Sequence, residues 1–546
     1  MRVRRTRCGS GGRGAGPADA GRDAADARRS PPSRAGAGSP ACDHAAAGAC
    51  TRARRGGFVE MIRRLALALL AALVMLAGVL AWRAASFVAP RPARADAAAQ
   101  PLDAARLAAH LSQAVRLRTV SPQPPQPPDA AAFDEFVAWL AATYPLAHAR
   151  LEREVVGTHS LVFTWRGSEP SGRPALLTAH YDVVPVAPAS ESEWKHPPFA
   201  GEVADGYVWG RGTLDDKGNV VAIMEALEWL LGQGWQPRNT LVAAFGHDEE
   251  LGGQHGAAAI AAHLKAKGVR AAWSLDEGSF VIDGIVPGLA RPVALVSVAE
   301  KGYLTVEISA RGDGGHSSMP PARTAVGTLA QAIVKLQDAP IPGGLDGLTL
   351  ESLDAMAREM SFGKRVLFAN RWLFGPLIER ELARSPATNA LLRTTTAPTM
   401  LSASVKENVL PTQASAIVNF RLHPRDTAQG VAEHVRRVTA DERITVTARE
   451  SLEASPVSPA DSPAFRAMAD AARRTHGDVA VAAGLTIGAT DSRHYAAVAD
   501  ASYRFMPARV GPQDVAGFHG TNERLSVDNL VRATRFYIEL MRSEAR

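Results

Sequence analysis

The chain has 546 residues, 46% hydrophobic and 21% charged, which is long enough for two domains and a terminal appendage, and it shows no internal repeat. Its formal net charge of +6 resides in the first 60 residues, where 12 Arg face 4 Asp and 1 Glu, so the basic balance does not indicate a nucleic-acid groove in the remainder. All three cysteines, Cys8, Cys42 and Cys50, lie in that same stretch, which excludes a disulfide framework or a thiolate metal site further along.

Residues 1–60 are rich in Gly, Ala, Pro and Arg without apolar periodicity and are expected to be disordered. Met61-Ile-Arg-Arg, followed by eighteen apolar residues from Leu65 to Trp82, reads as the true start of a membrane-targeted protein. A basic flank and an apolar run at the lower limit for spanning predict a signal anchor over 61–82, with its Arg-rich end cytoplasmic and the rest of the chain outside the cytoplasm. Residues 83–100 follow as a linker, in which Ala93-Arg-Ala95 offers a cleavage site that would instead release a secreted protein. The Ala/Arg/Gly-heavy usage suggests a GC-rich bacterial genome and a periplasmic placement.

A first catalytic segment is expected over 101–297. Pro174 to Ala179 is a short apolar run bounded by turn residues, which predicts a buried strand delivering His180 at its carboxyl end. Asp182 follows, placed either to bind the other ring nitrogen of His180 or to hold the local backbone. The glycine-rich turn Gly210-Arg-Gly-Thr-Leu-Asp-Asp-Lys-Gly218 opens a segment with Val220, Ile223, Met224, Leu227 and Leu231 at helical spacing, so Asp215 sits between strand and helix, where one carboxylate can bridge two cations. Acids there would also serve the helix dipole alone. Thr240 to Phe245 is again strand-like and runs into Gly246-His-Asp-Glu-Glu250. Adjacent carboxylates at a strand end repel unless a cation or proton intervenes, which divides Glu249 and Glu250 into a metal ligand and a base that takes a proton from water. Ala271 to Leu275 predicts one more strand, ending at Asp276-Glu277.

From Val298 the pattern changes to alternating strands, Leu304–Ala310 and Ala416–Leu422, with a helix near Ala325–Leu336, which predicts an inserted α+β domain over 298–450. His316 follows Gly-Asp-Gly-Gly in an exposed turn. Arg421 suits a terminal carboxylate through its planar fork, although pairing within the sheet explains it equally well. Between Pro340 and Thr396 lies an insertion with Phe362, Leu367, Phe368, Trp372, Leu373, Phe374, Leu377 and Ile378, read as the core of an enlarged lid or as an apolar wall for an acyl chain. A second catalytic segment, 451–546, carries Gly488-Ala-Thr-Asp-Ser-Arg-His-Tyr495, where Thr490 and Arg493 are candidates for a substrate carboxylate and Asp491 for an N-cap. His519 lies in a glycine-flanked loop before the last amphipathic helix.

Five such motifs at predicted strand ends agree with the rule that ligands collect outside the carboxyl ends of parallel strands, and they predict an α/β fold with a mostly parallel sheet and helices on both faces. Two His, one bridging Asp and two more carboxylates give each of two metals three protein ligands. Nitrogen and oxygen donors without thiolate suit Zn²⁺, with Co²⁺ or Mn²⁺ as substitutes.

The motifs His180-x-Asp182, Gly212-x-x-Asp215-Asp216-Lys217, Glu249-Glu250, Asp276 and His519-Gly-x-Asn522-Glu523 resemble those of the M20 metallopeptidases. Gly315-His-Ser-Ser-Met-Pro-Pro321 and Val418-Asn-Phe-Arg-Leu-His-Pro424 look most like the branch containing carboxypeptidase S and the N-fatty-acyl-amino-acid synthase/hydrolase. The resemblance implies one metal on His180, Asp215 and Asp276, and another on Asp215, Glu250 and His519. It also implies Glu249 as general base, Asp182 orienting His180, and a cis peptide at Asp215-Asp216. His316 would stabilise the oxyanion, often from a partner subunit, Asn408 and Arg421 would contact substrate, and the inserted domain would serve as lid and dimerisation surface. The implied reaction cleaves an amide next to a free carboxylate, in a peptide or an N-acyl amino acid. The alternative from another class is a catalytically silent, membrane-anchored binding protein on the same fold.

Overall fold

The computed structural model describes residues 44–89, 100–169, 171–286, 288–289 and 291–543. The expected disorder of residues 1–43, the Ala93–Ala95 cleavage site and most of the 83–100 linker lie outside the described residues. The chain forms two units, Met1–Met75 and Leu76–Arg546. In the first, a helix begins at His44, so the expectation of disorder is corrected for residues 44–60. Ala and Arg are strong helix formers, and their local propensity carries the helix upstream of the apolar run. Phe58–Ser86 is a 29-residue stretch of this helix that is long and apolar enough to cross a bilayer.

In the second unit a ten-stranded mixed sheet organises the main body. At its centre Leu241–Gly246, Ala175–His180, Trp273–Asp276 and Ser502–Arg504 run parallel, while Glu152–Val156 and Ser160–Trp165 add an antiparallel edge. Successive strand residues point to opposite faces. Leu177, Ala243 and Phe245 therefore pack with the helices Lys217–Gly232 and Val527–Ser543, and Leu176, Val242 and Ala244 pack with Ala257–Ala266 on the other side. A sheet covered on both faces needs strands that are apolar throughout, as these are.

The second domain is a four-stranded antiparallel sheet in the order Thr395–Ser402, Gln413–Leu422, Gly302–Arg311, Ile444–Leu452. Alternate residues Leu304, Val306, Ile308, Val418 and Phe420 are buried under the helices Ala325–Asp338 and Ala428–Val438. Thr324 and Thr427 cap these helices by accepting from the amides of Gly327 and Gly430. The change of domain falls later than Val298. Val293–Glu300 still pairs in parallel with Ala480–Thr486 in the large sheet.

The 340–396 insertion is not the core of the lid. Leu348, Leu353 and Met356 join the core of the main body, and Ser352 Oγ donates to the Ala483 carbonyl at 2.6 Å. An apolar segment announces that it will be buried but not against which of two cores.

Candidate metal centre

Three parallel strands end at one edge of the large sheet. His180 lies in register with Gly246, and Asp276 with Arg504, so His180, the loop after Gly246 and Asp276 are delivered together. The loop carrying Asp215 is held from the far end of the sequence: Glu523, fully buried, accepts from the amides of Leu214 (2.8 Å) and Asp215 (3.2 Å) and pairs with Arg211 at 2.6 Å. The Asp215-Asp216 peptide is cis. Gly218 is required where the following helix starts, because a Cβ there would lie 2.2 Å from the Thr213 carbonyl oxygen.

Asp182 lies against both the His180 ring and the local backbone. One carboxylate oxygen lies 3.3 Å from His180 Nδ1 and accepts from Glu249 N at 3.1 Å. The other accepts from Glu250 N at 3.1 Å and Ser121 Oγ at 2.7 Å. The same buried carboxylate thus fixes a ring and the backbone of the Glu249-Glu250 loop. Gly253 in that loop has φ +68, and a Cβ on it would meet an Asp491 oxygen at 2.0 Å.

Asp215 is the shared group. Its Oδ1 lies 3.0 Å from His180 Nε2 and its Oδ2 3.1 Å from His519 Nε2, which is itself 3.3 Å from Glu250 Oε2. Donor atoms of Asp215, Glu250 and His519 all fall within 4.8 Å of one another. His519 occupies the left-handed region at φ 51, in a loop tied down by Asn522, whose side chain accepts from Lys195 N at 2.6 Å and donates to the Glu193 carbonyl at 3.1 Å.

The charges are arranged for cations. Burial would raise Asp215, yet hydrogen bonds from His180 and His519 hold its carboxyl well below the usual range. Hydrogen bonds to Asp215 and Glu250 push His519 up to about 10. Burial raises Glu249, Glu250, Asp276 and Glu277, and mutual repulsion within the cluster adds to this for Glu249, Glu250 and Glu277. Glu250 Oε1 and Asp276 Oδ2 are buried without a hydrogen-bond partner among the described residues. Crowded carboxylates with uncommitted oxygens beside two imidazoles fit the donor chemistry of divalent metal ions.

The remaining predicted residues divide. Gly315–His316 pairs with Val409–Leu410, and Ser317 N donates to the Asn408 carbonyl at 3.1 Å, so His316 and Asn408 are neighbours on one lid hairpin. His316 is exposed, with Nδ1 2.8 Å from Ser318 Oγ. Arg421 lies on the lid sheet with its guanidinium 5.2 Å from the Tyr303 ring centroid. Thr490 is buried, and its hydroxyl donates to Glu300 at 2.7 Å, which also receives Arg504 at 3.3 Å. Arg493 donates to the Gly252 carbonyl at 3.0 Å, a contact that braces the Glu249-Glu250 loop. Asp491 makes no side-chain cap, and the helix it precedes, Ser492–Tyr495, is a single turn. Instead its carboxyl is buried against Gly246 and Gly253, and burial and neighbouring carboxylates raise its pKa well above the ordinary value. Sequence reasoning gave Glu523 no role; its place one residue after Asn522 in the His519 motif was the available signal.

Known proteins share this organisation. The description "Peptidase family M20/M25/M40" matches residues 176–543. The mouse N-fatty-acyl-amino acid synthase/hydrolase PM20D1 is 41% identical over 418 residues, covering 76% of this chain and 82% of that protein. The probable carboxypeptidase S-like 2 of Dictyostelium discoideum is 40% identical, covering 75% and 79%, and carboxypeptidase S of Saccharomyces cerevisiae is 30% identical, covering 79% and 82%. Among solved structures, the M20 metallo-carboxypeptidase Sso-CP2 of Sulfolobus solfataricus shares the fold at a TM-score of 0.56 and 19% identity, covering 80% of this chain and 99% of that one. The Bacillus subtilis YXEP protein does so at 0.51 and 17%, covering 80% and 98%. With motifs, fold and relatives in agreement over most of its length, the chain belongs to peptidase family M20 and is a hydrolase of that family.

Proposed function

We propose that this hydrolase cleaves an amide bond adjacent to a free carboxylate, as a carboxypeptidase or an N-acyl-amino-acid hydrolase, using two metal ions. The observation that carries the reading is Asp215 shared between His180 and His519, with Glu249 beside Glu250 on a loop whose amides are held by Asp182. His180, Asp215 and Asp276 would hold one ion, and Asp215, Glu250 and His519 the other. The donor set favours Zn²⁺, with Co²⁺ or Mn²⁺ as substitutes, and a solved relative in the fold is titled a dinuclear metal-binding peptidase. Such ions acidify water and polarise a carbonyl.

Glu249 accepts the proton of the attacking water and returns it to the departing amine, leaving a carboxylate and an amine as products. His316 reaches the developing oxyanion from the lid, and Asn408 and Arg421 contact the substrate, Arg421 through its carboxylate. The lid edge strand Thr395–Ser402 leaves Met400 and Leu401 exposed, which supports dimerisation through the lid and delivery of His316 to a partner's site. Phe58–Ser86 anchors the chain in a membrane, with the catalytic domain outside the cytoplasm.

The test follows amine release by mass spectrometry from matched N-fatty-acyl amino acids and dipeptides, with and without a chelator. Preference for acyl substrates assigns an acyl-amino-acid hydrolase, and preference for dipeptides a carboxypeptidase. Turnover unaffected by chelation would remove the metal mechanism.

A further inference from the structure

The insertion that joins the main body exposes an apolar face with no counterpart in the proposed chemistry. Helix Arg371–Leu382 leaves Trp372 61%, Leu373 43% and Leu377 54% exposed, and Phe362 on the preceding helix is 48% exposed. Leu373 and Leu377 are four places apart and share a helix face, Trp372 adjoins Leu373, and Ile378 is buried on the other side. Contiguous exposed aromatic and aliphatic side chains mark interaction sites.

What covers this face is indicated by where the apolar N-terminal helix ends. Asn370, the residue just before helix Arg371–Leu382, donates from Nδ2 to the Leu80 carbonyl at 3.1 Å, and Arg83 Nε donates to the Ala369 carbonyl at 3.1 Å. Ala84 is fully buried, and Arg358 sits 4.7 Å from the Phe87 ring centroid. The last turns of the apolar run, Leu80 to Ser86, are therefore fastened to the base of the exposed helix. Trp372 and Leu373 follow Asn370 by two and three residues, on the order of 3–5 Å along the helix axis. A bilayer that surrounds the apolar run to its end meets this face at the level of its headgroups. Trp is the side chain suited to that level, and the exposed Arg380 on the same helix suits anionic lipids.

We propose that the face formed by Phe362, Trp372, Leu373 and Leu377 is a second membrane contact, seated in the headgroup layer of a phospholipid bilayer beside the anchor. It rests on the reading of Phe58–Ser86 as membrane-spanning. The exposed apolar side chains of this helix enter the headgroup layer, so the catalytic body is held at two points and takes a fixed orientation on the membrane instead of swinging on a tether.

The test uses the full chain with Cys8, Cys42 and Cys50 replaced by Ser, in vesicles of phosphatidylcholine and phosphatidylglycerol. An environment-sensitive fluorophore is placed by Leu373→Cys or Leu377→Cys, with Leu69→Cys as the control within the span and Val203→Cys as the control in water. All four positions are exposed, so labelling leaves the fold intact. The expected result is quenching by headgroup-proximal spin-labelled lipid at 373 and 377, shielding from iodide there, and the reverse at 203. Lipid quenching at 69 with iodide access at 373 and 377 would overturn the second contact and leave the anchor standing. Labels at 373 and 377 shielded from both quenchers would show a protein covering the face and overturn it too. Absence of lipid quenching at 69, 373 and 377 alike would remove the anchor and this contact together.

Discussion

The cluster at the sheet edge and the hairpin of the lid both carry histidines expected at the reaction, yet they are built in opposite ways. Around Asp215 every element is constrained: two amides are taken by Glu523, two by Asp182, and both imidazoles by the shared carboxylate. The only hydrogen-bond partner of the His316 ring among the described residues is the neighbouring Ser318, and the ring faces solvent. Metal ligands must be preorganised because burying uncompensated charge is costly, and only a rigid frame holds them against mutual repulsion. If His316 meets the oxyanion as proposed, it needs freedom to arrive, and an exposed two-residue strand on a separate domain provides it.

The contrast is broken most severely at the base. Glu249→Gln removes the proton acceptor but retains the loop, so turnover should fall by about 10²–10⁴-fold while metal content, measured by elemental analysis, stays unchanged. An active variant would move the base elsewhere. His316→Ala should cost about 10²–10³-fold in kcat if the ring meets the oxyanion. Mixing inactive His316→Ala with inactive Glu249→Gln subunits should then recover partial activity if the ring acts across a dimer; verified mixed dimers with none would place it within its own subunit. Asp182→Asn keeps the shape of the constrained side and weakens it, and a loss of about 10–100-fold in metal affinity is expected from chelator competition. An unchanged affinity would leave Asp182 with only its backbone role.

A smaller effect is expected away from both regions. His476 is buried, donates through Nε2 toward the Pro507 carbonyl, and is lowered to about 4 by burial and the charge of Arg532. Its folded value lies below the unfolded value of about 6.5, so between those values the unfolded chain binds a proton that the native one does not. Stability should therefore fall as pH drops through that window, by at most about 1.4 kcal/mol per pH unit from this group. His476→Gln should flatten the slope of urea-unfolding midpoints between about pH 7 and pH 5 relative to the parent; parallel slopes would exclude His476 as the source.

Much of the site was legible because its residues lie next to the features that reveal them. His180, Glu249, Glu250 and Asp276 each follow an apolar run, and a strand's end can be read from where such a run stops. The role of Glu523 was not legible, since it depends on reaching the amides of Leu214 and Asp215 about 300 residues upstream. The partner of Thr490 was hidden for the same reason: a Thr in a glycine-containing turn has a free hydroxyl in sequence, and only the packing brings Glu300 against it.

By itself the sequence determined the α/β body, the α+β lid, the apolar N-terminal helix and the inventory of donors, because periodicity and turn chemistry are local and survive without knowledge of neighbours. Only the tertiary structure decided that Asp182 serves a ring and two amides together, that the 340–396 insertion belongs to the main body, and that its exposed face begins where the apolar N-terminal helix ends. Those outcomes depend on which surfaces meet, and two apolar segments of equal hydrophobicity become core or interface according to what folds against them.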